Sequence, residues 1–518
     1  MIRVICSQET FVYNAYHMVK AFYPSETVTS SVDEKASNYV TVEFVKDSAL
    51  AESESVDNTE FTGYLWQLSV GAEDYDCENH LAKIERSEIE KPEVEQLEKA
   101  ALKKWLDRTL YKKLEEKSGK SLAWGILMGV RPTKIAMKKL EEGMTEEAFV
   151  PWFRKENLVS EEKAHLAWQI AGREKRLLDQ LDYENGYSLY VGIPFCPTVC
   201  SYCSFSSGAL SDWEHRVEDY LAALMKELEA IAKMTEGRKA DTIYMGGGTP
   251  TTLNADQLDW LLTCIDRHFV REGLLEFTVE AGRPDSITRE KLQVLRNHGI
   301  SRISINPQSM QQKTLDTIGR KHTVEQVYEA FRMAREMGFD NINMDIIAGL
   351  PGETPEDMED TLRQIASLGP DNLTVHSLAI KRAAKMGQEE REGKRVEIAP
   401  GEISTMVEMA GNAAREMGLF PYYLYRQKNI AGNFENVGYA KVDKAGIYNI
   451  LIMEEKQSII AAGAGASTKI VLKEPVINPE SKKKKKTSLI RQENVKAIDA
   501  YISRVDEMIE RKGEWLWR

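Results

Sequence analysis

The sequence has few cysteines, no long apolar segment and no recognisable signal peptide. Only six of its 518 residues are cysteine, whereas secreted domains built on disulfides are shorter and richer in cysteine. No window of about 18 or more residues is apolar and free of charge, as a membrane-spanning helix would require. The N-terminal sequence MIRVICSQET lacks a basic region followed by an apolar core. We therefore expect a cytoplasmic protein with reduced thiols and no membrane span.

The chain also lacks net positive charge. Its formal net charge is −13, with 42% hydrophobic and 29% charged residues, a composition typical of soluble globular proteins. This acidic balance disfavours non-specific binding to nucleic acid, so we expect no nucleic-acid partner. One local exception is the run of five lysines at Lys482–Lys486. We interpret it as a solvated loop, with an anion-binding segment as the alternative.

Apolar patterns divide the chain into three predicted domains. Residues 1–175 mix strand-like and helical segments and predict an α+β scaffold or interaction domain. Residues 183–395 alternate short apolar strands with amphipathic helices. Residues 396–518 are predicted to form an accessory domain that covers one end of the middle domain.

Six β/α units are predicted in the middle domain. The predicted strands are YSLYVGI (187–193), DTIYMGG (241–247), LEFTVEAG (275–282), SRISINPQ (301–308), NINMDIIAG (341–349) and DNLTVHSLA (371–379). Such alternation indicates a parallel sheet with helices outside. The fold class is therefore α/β, and six units predict a partial (β/α)6 barrel, since a closed barrel of this type has about eight. Functional residues are expected after the carboxyl ends of the strands.

Half of the cysteines lie together in YVGIPFCPTVCSYCSF, directly after the first predicted strand. Cys196, Cys200 and Cys203 have C-x3-C-x2-C spacing and can bind three irons of a [4Fe–4S] cluster, whose sites typically use four thiolates. One iron would then accept an external ligand. Zinc also accepts thiolates, but a structural zinc site needs a fourth protein ligand, and no second cysteine or histidine pair follows. The cluster is the favoured interpretation, with zinc and inert cysteines as alternatives.

This segment resembles the cysteine loop of radical S-adenosylmethionine (SAM) enzymes, which follows the first strand of a β/α partial barrel. The resemblance implies a [4Fe–4S] cluster and SAM as cofactors, with the amino and carboxylate groups of SAM on the open iron. It also implies reductive cleavage of SAM to a hydrogen-abstracting radical. The electron would come from a donor such as a flavodoxin or ferredoxin.

Glycine and polar residues end the next predicted strands. MGGGTP (245–250) ends the second strand, where glycines let the backbone approach a ligand, although such a turn often only closes a strand. Glu280, Gln308 and Asp345 end the next three strands. One polar strand end is more often a structural hydrogen-bonding group, but three in succession favour a polar site.

These motifs are similar to those of the oxygen-independent coproporphyrinogen III oxidase-like family. The matching segments are IPFCPTVCSYC, GGGTPT, SRISINPQSM, IGRKH, NMDIIAGLPGET and AAGAGA. Three further segments resemble the HemZ-type coproporphyrinogen dehydrogenases: WGILMGVRPTKI, LTVHSLAIKRAA and GNFENVGYAK.

The family resemblance implies that two SAM molecules bind. It assigns to the first or both SAM molecules the residues Tyr190, Gly247, Gly248, Thr249 and Glu280. It assigns to the second SAM the residues Tyr202, Gln308, Arg320 and Asp345. Catalytic roles are implied for Tyr190 and Arg320.

The implied reaction is oxidative decarboxylation of the propionates of coproporphyrinogen III to vinyl groups. It would give protoporphyrinogen IX in anaerobic haem biosynthesis, with a porphyrinogen as substrate. Lys381 and Arg382 are candidate partners of the propionates, with a solvated basic pair as the alternative.

Two departures from the family pattern keep other functions open. Oxidases of the family end the cysteine loop with C-x-C, whereas Phe205 stands here in place of the last cysteine. Haem chaperones of the family carry an H-N-x-x-Y-W haem motif, which we do not find, although His322 and His376 could bind haem iron. The alternatives are a haem-binding or haem-delivery protein and a radical SAM haem-modifying methyltransferase.

Overall fold

The computed structural model describes most of the chain, in two compact units. The described residues are 2–6, 9–24, 26–31, 38–46, 62–71, 78–84, 91–129, 131–205, 207–269, 271–381, 384–392, 400–426, 433–477 and 486–516. One unit comprises Met1–Trp168 with Arg426–Phe434, and the other comprises Gln169–Tyr425 with Glu435–Arg518. The division into three domains stays a prediction. Cys77, Arg382 and the first four lysines of Lys482–Lys486 lie outside the described residues.

The first unit combines a five-stranded sheet with helices. Its strands are β1 (Ile2–Cys6), β2 (Val28–Thr29), β3 (Asn38–Lys46), β4 (Thr62–Gly71) and β5 (Glu78–Ile84), in the order β2-β1-β3-β4-β5. Its helices are α1 (Glu9–Phe22), α2 (Lys91–Ser118), α3 (Pro132–Glu141), α4 (Glu146–Asn157) and the first part of α5 (Glu161–Leu178). Helix α1 buries one face, including Phe11 and Phe22, in a core shared with Val4 of β1. This face follows the helical spacing of its apolar residues.

An eleven-stranded sheet organises the second unit. Its strands, with the short pair β7 and β8, are β6 (Tyr187–Ile193), β7 (Phe195–Cys196), β8 (Gly208–Ala209), β9 (Ala240–Gly247), β10 (Glu276–Gly282), β11 (Arg302–Ile305), β12 (Ile342–Ala348), β13 (Asn372–Ser377), β14 (Phe420–Tyr425), β15 (Asn436–Ala440), β16 (Ile459–Ala462), β17 (Ser467–Ile477) and β18 (Lys486–Glu493). The order is β14-β15-β13-β12-β11-β10-β9-β6-β16-β17-β18.

The central strands of this sheet are parallel. The six predicted barrel strands are β6 and β9 to β13, and each pairs in parallel with the next. Strand β16 adds a seventh parallel strand beside β6, whereas β14, β15, β17 and β18 pair antiparallel at the two edges. The predicted α/β class is confirmed, and β16 extends the parallel sheet beyond the six predicted strands.

Helices connect the parallel strands and cover the sheet. They are the rest of α5, then α6 (Leu210–Trp213), α7 (Val217–Met234), α8 (Ala255–His268), α9 (Arg289–Asn297), α10 (Gln312–Thr317), α11 (Val324–Glu336), α12 (Pro355–Leu368), α13 (Lys385–Arg391), α14 (Pro400–Glu416), α15 (Ile447–Glu454), α16 (Ile498–Ser503) and α17 (Val505–Gly513). Helices α8, α11 and α12 each begin with a capping box, which satisfies backbone N–H groups at the helix start. Among the described residues, no helix has the length and apolar character needed to cross a membrane.

A buried ion pair ties α17 to α7. The Lys512 ammonium contacts the Glu227 carboxylate, and both side chains are excluded from solvent. Glu227 also accepts hydrogen bonds from Tyr501 Oη at 2.5 Å and from Gly463 N at 2.8 Å. The pair therefore holds the C-terminal helices against the turn that follows β16.

We expect Lys512→Met to lower the free energy of unfolding by about 3–5 kcal/mol, because it leaves the Glu227 carboxylate buried without a cation. Lys226→Met is the matched control. Lys226 lies in α7 and pairs with Asp506 of α17 at 2.7 Å, but 54% of its side chain is exposed. That change should cost less than about 1 kcal/mol. Urea unfolding measures both, and equal losses would contradict the role given to the buried pair.

Candidate functional site

The three clustered cysteines lie beyond the carboxyl end of β6. Cys196 is in the short strand β7, which pairs with β8, and Cys200 and Cys203 lie in the following loop. All three are free thiols with partly exposed side chains. The loop is held in place by backbone hydrogen bonds from Cys203 N to Cys200 O (3.1 Å) and from Ser201 N to Ile318 O (3.0 Å). The structure therefore presents the three predicted ligands on one ordered loop.

Burial affects the pKa of two of the three thiols. Burial raises the pKa of Cys196 and of Cys203, because it disfavours the charged thiolate. Thr249 Oγ1 donates a hydrogen bond to Cys196 Sγ at 3.7 Å, which opposes part of this shift. Bound iron would displace the protons, since a coordinating thiol is deprotonated.

The donor set fits an iron–sulfur cluster with one open position. Three partly exposed thiols share the loop, and among the described residues no group of three or more His, Cys, Asp or Glu side chains could hold a metal ion by itself. In a cluster each thiolate binds a different iron, so the sulfurs do not converge on one point. The absence of such a group among the described residues gives no support to the zinc alternative, which requires four ligands around one ion.

The glycine turn after β9 contacts the cysteine loop directly. Gly248 N donates to Ile193 O at 2.6 Å, and Thr249 N donates to Phe195 O at 2.7 Å. Gly247 has φ of +110°, and a Cβ on Gly248 would lie 2.5 Å from Phe195 O. The close approach that requires glycine at 248 is therefore to the polypeptide itself, whereas we expected an approach to a ligand.

Glu280 lies near the carboxyl end of β10, beside a stack of tyrosines. The Tyr244 hydroxyl donates to the Glu280 carboxylate, and the Tyr244 ring lies 4.4 Å from that of Tyr448 and 6.2 Å from that of Tyr190, measured between centroids. Burial raises the pKa of Glu280 to about 7, and the charge of Asp345 contributes. Burial also raises the pKa of Tyr190. Glu280 can therefore change its charge near neutral pH.

Gln308 has a strained backbone that the neighbouring strand holds in place. Its φ of +68° lies in the left-handed region, which is uncommon for residues other than glycine. Gln308 N donates to Asp345 O, and Ile347 N donates to Gln308 O, both at 2.9 Å. Strain of this kind concentrates at functional sites, so the geometry supports a functional role for this loop.

Arg320 is a buried cation without a carboxylate partner. Its side chain is 4% exposed, and its Nη1 donates to Asn306 O at 2.9 Å. Across the described ranges, its hydrogen-bond partners are backbone carbonyls and not Asp or Glu side chains, and its Nε and the Asn306 Oδ1 lack hydrogen-bond partners in the protein. A buried charge normally requires a partner. The site therefore suits an anionic ligand such as a carboxylate.

Asp345 completes this polar region from the middle of β12, three residues before the strand ends, whereas the sequence placed it at the strand end. It accepts a hydrogen bond from Asn343 Nδ2 at 2.7 Å, and His376 Nε2 lies 3.7 Å from its other oxygen. Burial alone would raise the pKa of Asp345, but His376 and the hydrogen bonds hold it below its usual range. His376 Nδ1 also lies 3.0 Å from Tyr425 Oη. Asp345 is therefore a carboxylate at neutral pH.

The remaining predicted residues have different surroundings. Tyr202 packs against a buried apolar cluster that includes Ile318 and Leu350, and burial raises the pKa of its hydroxyl. His322 is fully buried, and burial lowers its pKa to about 3. Lys381 is exposed, with its ammonium 5.9 Å from the centroid of the exposed Phe205 ring.

Two kinds of site residue were not predicted from the sequence. The Tyr244 hydroxyl donates to Glu280, and the Tyr448 ring stacks on that of Tyr244. Neither tyrosine belongs to a sequence motif that would have identified it. Arg283 follows β10 and is hydrogen-bonded to Thr198 within the cysteine loop. The only sequence signal for Arg283 is its place in EAGRPD, directly after a predicted strand.

Comparisons with known proteins agree with this geometry. The radical SAM superfamily matches residues 190–365. The chain is 44% identical over 362 residues to the oxygen-independent coproporphyrinogen-III oxidase-like protein HemZ of Bacillus subtilis, covering 69% of this chain and 72% of that protein. It is 37% identical over 195 residues to the haem chaperone HemW of Bacillus subtilis, covering 38% of this chain and 51% of that protein.

A solved structure supports the fold. The coproporphyrinogen III oxidase HemN of Escherichia coli, a radical SAM enzyme, matches with a TM-score of 0.50 and 22% identity. The match covers 65% of this chain and 73% of that chain. At this identity it bears on the fold alone.

We expect the protein reconstituted anaerobically with iron and sulfide to hold about four irons per chain. Cys196→Ala, Cys200→Ala and Cys203→Ala should each lose them, because each removes one ligand. Cys264→Ala is the control, since Cys264 is a free, buried cysteine in α8. Iron and sulfide analysis measures the outcome. Stoichiometric zinc with no iron in the reconstituted protein would contradict this assignment.

Proposed function

Because the chain belongs to the radical SAM superfamily and, within it, to the oxygen-independent coproporphyrinogen-III oxidase-like family, we propose that it decarboxylates coproporphyrinogen III oxidatively. Two propionates would become vinyl groups, giving protoporphyrinogen IX. The cofactors of the protein are a [4Fe–4S] cluster and SAM, which together supply a hydrogen-abstracting radical when bound. The observation that carries the proposal is Arg320, a buried cation with no carboxylate partner among the described residues.

The cysteine loop and the adjoining strand ends would hold the cofactors. Cys196, Cys200 and Cys203 would bind three irons, which leaves the fourth for SAM. The Glu280 carboxylate would accept a hydrogen bond from the SAM amino group, because it is half-buried near the carboxyl end of β10 and already accepts from Tyr244. A hydrogen bond donated to the charged form favours the ionised carboxylate. Glu280 would thus be ionised when SAM is present.

The residues around Arg320 would bind a second SAM. Arg320 would pair with its carboxylate, because a guanidinium binds carboxylates with charge-assisted hydrogen bonds. Gln308 and Asp345 would supply the other polar contacts, and Asp345 remains ionised at neutral pH. The apolar environment of Tyr202 would exclude water from this side of the site.

The porphyrinogen needs cationic groups outside these two pockets. Lys381 is a candidate, because its exposed ammonium lies beside the Phe205 ring on the cysteine loop. An apolar ring and an ammonium together suit a macrocycle that carries carboxylates. This assignment places the substrate next to the cluster site.

A haem carrier is the second candidate, because the chain is 37% identical to a haem chaperone over part of its length. A carrier needs an axial ligand for haem iron. His322 has no exposed surface, and His376 lies between Tyr425 and Asp345. Neither histidine is free to bind haem in the described arrangement, which supports the enzyme over the carrier.

We expect anaerobic incubation of reconstituted protein with coproporphyrinogen III, SAM and a strong reductant to give two successive mass losses, each of CO₂ plus two hydrogens. Arg320→Met should reduce the rate by about 100-fold or more, because it removes a buried charged hydrogen-bonding group worth about 3 kcal/mol. Iron content should not change. Arg332→Met is the control, since Arg332 lies on the exposed face of α11.

The competing function predicts a different result from the same incubation. If SAM is cleaved while coproporphyrinogen III is recovered unchanged, and haem binds stoichiometrically, the carrier should replace the enzyme as the proposed function. Mass spectrometry of the porphyrins and a haem titration distinguish the two.

We expect SAM binding to weaken as pH falls through about 7, where Glu280 titrates. Above this pH the carboxylate is ionised and accepts a charge-assisted hydrogen bond from the SAM amino group, whereas below it the protonated acid does not. Affinity should fall about tenfold per pH unit in the acidic limb, since one proton competes with the ligand. Glu280→Gln should bind SAM weakly with little pH dependence. Calorimetric titration of the reconstituted protein measures both, and an unchanged pH profile in the variant would contradict this role.

A further inference from the structure

We propose that Arg283 positions the cysteine loop and that its fixed positive charge raises the reduction potential of the cluster bound there. This inference rests on the proposed cluster site. It concerns a residue whose side-chain hydrogen bonds are made to Thr198 and Asp285, and that acts on the cluster through the loop.

Arg283 is joined to the middle of the cysteine loop. Its Nη1 donates to Thr198 O at 3.1 Å and to Thr198 Oγ1 at 2.6 Å, between Cys196 and Cys200. Arg283 is only 2% exposed, so water does not compete for these hydrogen bonds. A buried charged donor held in this way restricts the loop more than a surface contact would.

A carboxylate fixes the orientation of the guanidinium. Arg283 Nε and Nη2 donate to the two oxygens of Asp285 at 2.9 and 2.7 Å. This bidentate pair has a defined geometry. Nη1 remains free to donate to Thr198. The guanidinium therefore binds Asp285 through Nε and Nη2 and the cysteine loop through Nη1.

The backbone before Arg283 directs it towards the loop. Strand β10 has a register shift against β11 between Glu280 and Gly282, and such a bulge bends a strand and redirects the following side chain. Gly282 has φ of +56°. Thr198 Oγ1 also donates to Gly319 O at 3.3 Å. The loops after β6, β10 and β11 therefore meet at Thr198.

The charges of this region act on each other. Burial opposes the charge of Arg283, but its bidentate contact with Asp285 holds its pKa above the usual value, so the guanidinium stays charged. A one-electron reduction adds negative charge to a cluster, and a nearby positive charge stabilises the reduced form. Charge and hydrogen bonds around the sulfurs are established determinants of cluster potential.

Variants that remove either the positive or the negative charge of the Arg283–Asp285 pair distinguish an electrostatic role of Arg283 from a structural one. Arg283→Gln removes the positive charge and should lower the potential. Asp285→Asn removes the compensating negative charge and should raise it. The double variant, which removes both charges, should return close to wild type. Loosening of the loop by itself would shift both single variants in the same direction.

The measurement is a potentiometric titration of the reconstituted full-length protein, followed by electron paramagnetic resonance of the reduced cluster. We expect each single variant to shift the reduction equilibrium by up to about tenfold, equivalent to about 59 mV for a one-electron couple. Arg289→Gln is the control, because Arg289 is exposed and pairs with Glu336 on the surface. Its potential should equal that of wild type.

The positioning role is tested without the cluster. In the apoprotein, Arg283→Lys should increase hydrogen exchange in residues 194–204, because one ammonium cannot reproduce the fork between Thr198 and Asp285. Since lysine keeps the charge, the cluster potential of this variant should stay near wild type even if Arg283→Gln does not assemble a cluster.

Different results would contradict the roles proposed for Arg283 and the assignment of the cluster site. If the wild-type protein assembles no cluster, the site assignment fails. If it assembles one and the potentials of Arg283→Gln and Asp285→Asn shift in the same direction or do not shift, the electrostatic role of Arg283 is overturned. If loop exchange is unchanged in Arg283→Lys, its positioning role is overturned.

Discussion

The parallel pairing of β6 with β9 is the constraint on which the rest of the site depends. It aligns Ile193 with Gly247, so that the cysteine loop and the glycine turn leave the sheet at the same level. The same register places Tyr190 opposite Tyr244. A slip of one residue would turn the tyrosines to the other face of the sheet. One backbone register therefore fixes both the loop that carries the thiols and the aromatic stack beside Glu280.

The sequence was most informative where structure depends on nearby residues. The six predicted strands correspond to β6 and β9 to β13 because their apolar runs are short and bounded by turn residues. The position of β16 beside β6 was not predicted. A local apolar pattern contains no information about a partner that lies far away in the sequence. Domain boundaries also depend on contacts between segments that are distant in the sequence, so a local apolar pattern does not reveal them either.

The candidate site shows a similar division between local and long-range information. Cys196, Cys200 and Cys203 form a motif through their spacing, and Glu280 stands at a recognisable strand end. Arg283 has a role only because the fold brings it to Thr198. The left-handed backbone of Gln308 depends on β12, which follows it in the chain. Such residues have ordinary chemical identities, so only their spatial neighbours reveal them.

The ion pair between Glu227 and Lys512 has a consequence for biosynthesis. These residues are separated by 285 positions in the chain. While the chain is being translated, the Glu227 carboxylate lacks its cation and the turn at Gly463 lacks part of its support until the last helices emerge. The polar interior of this unit is thus completed late, after every cysteine of the loop has been synthesised. A chain interrupted before α17 would leave the Glu227 carboxylate without its cation, which destabilises the packing of this unit.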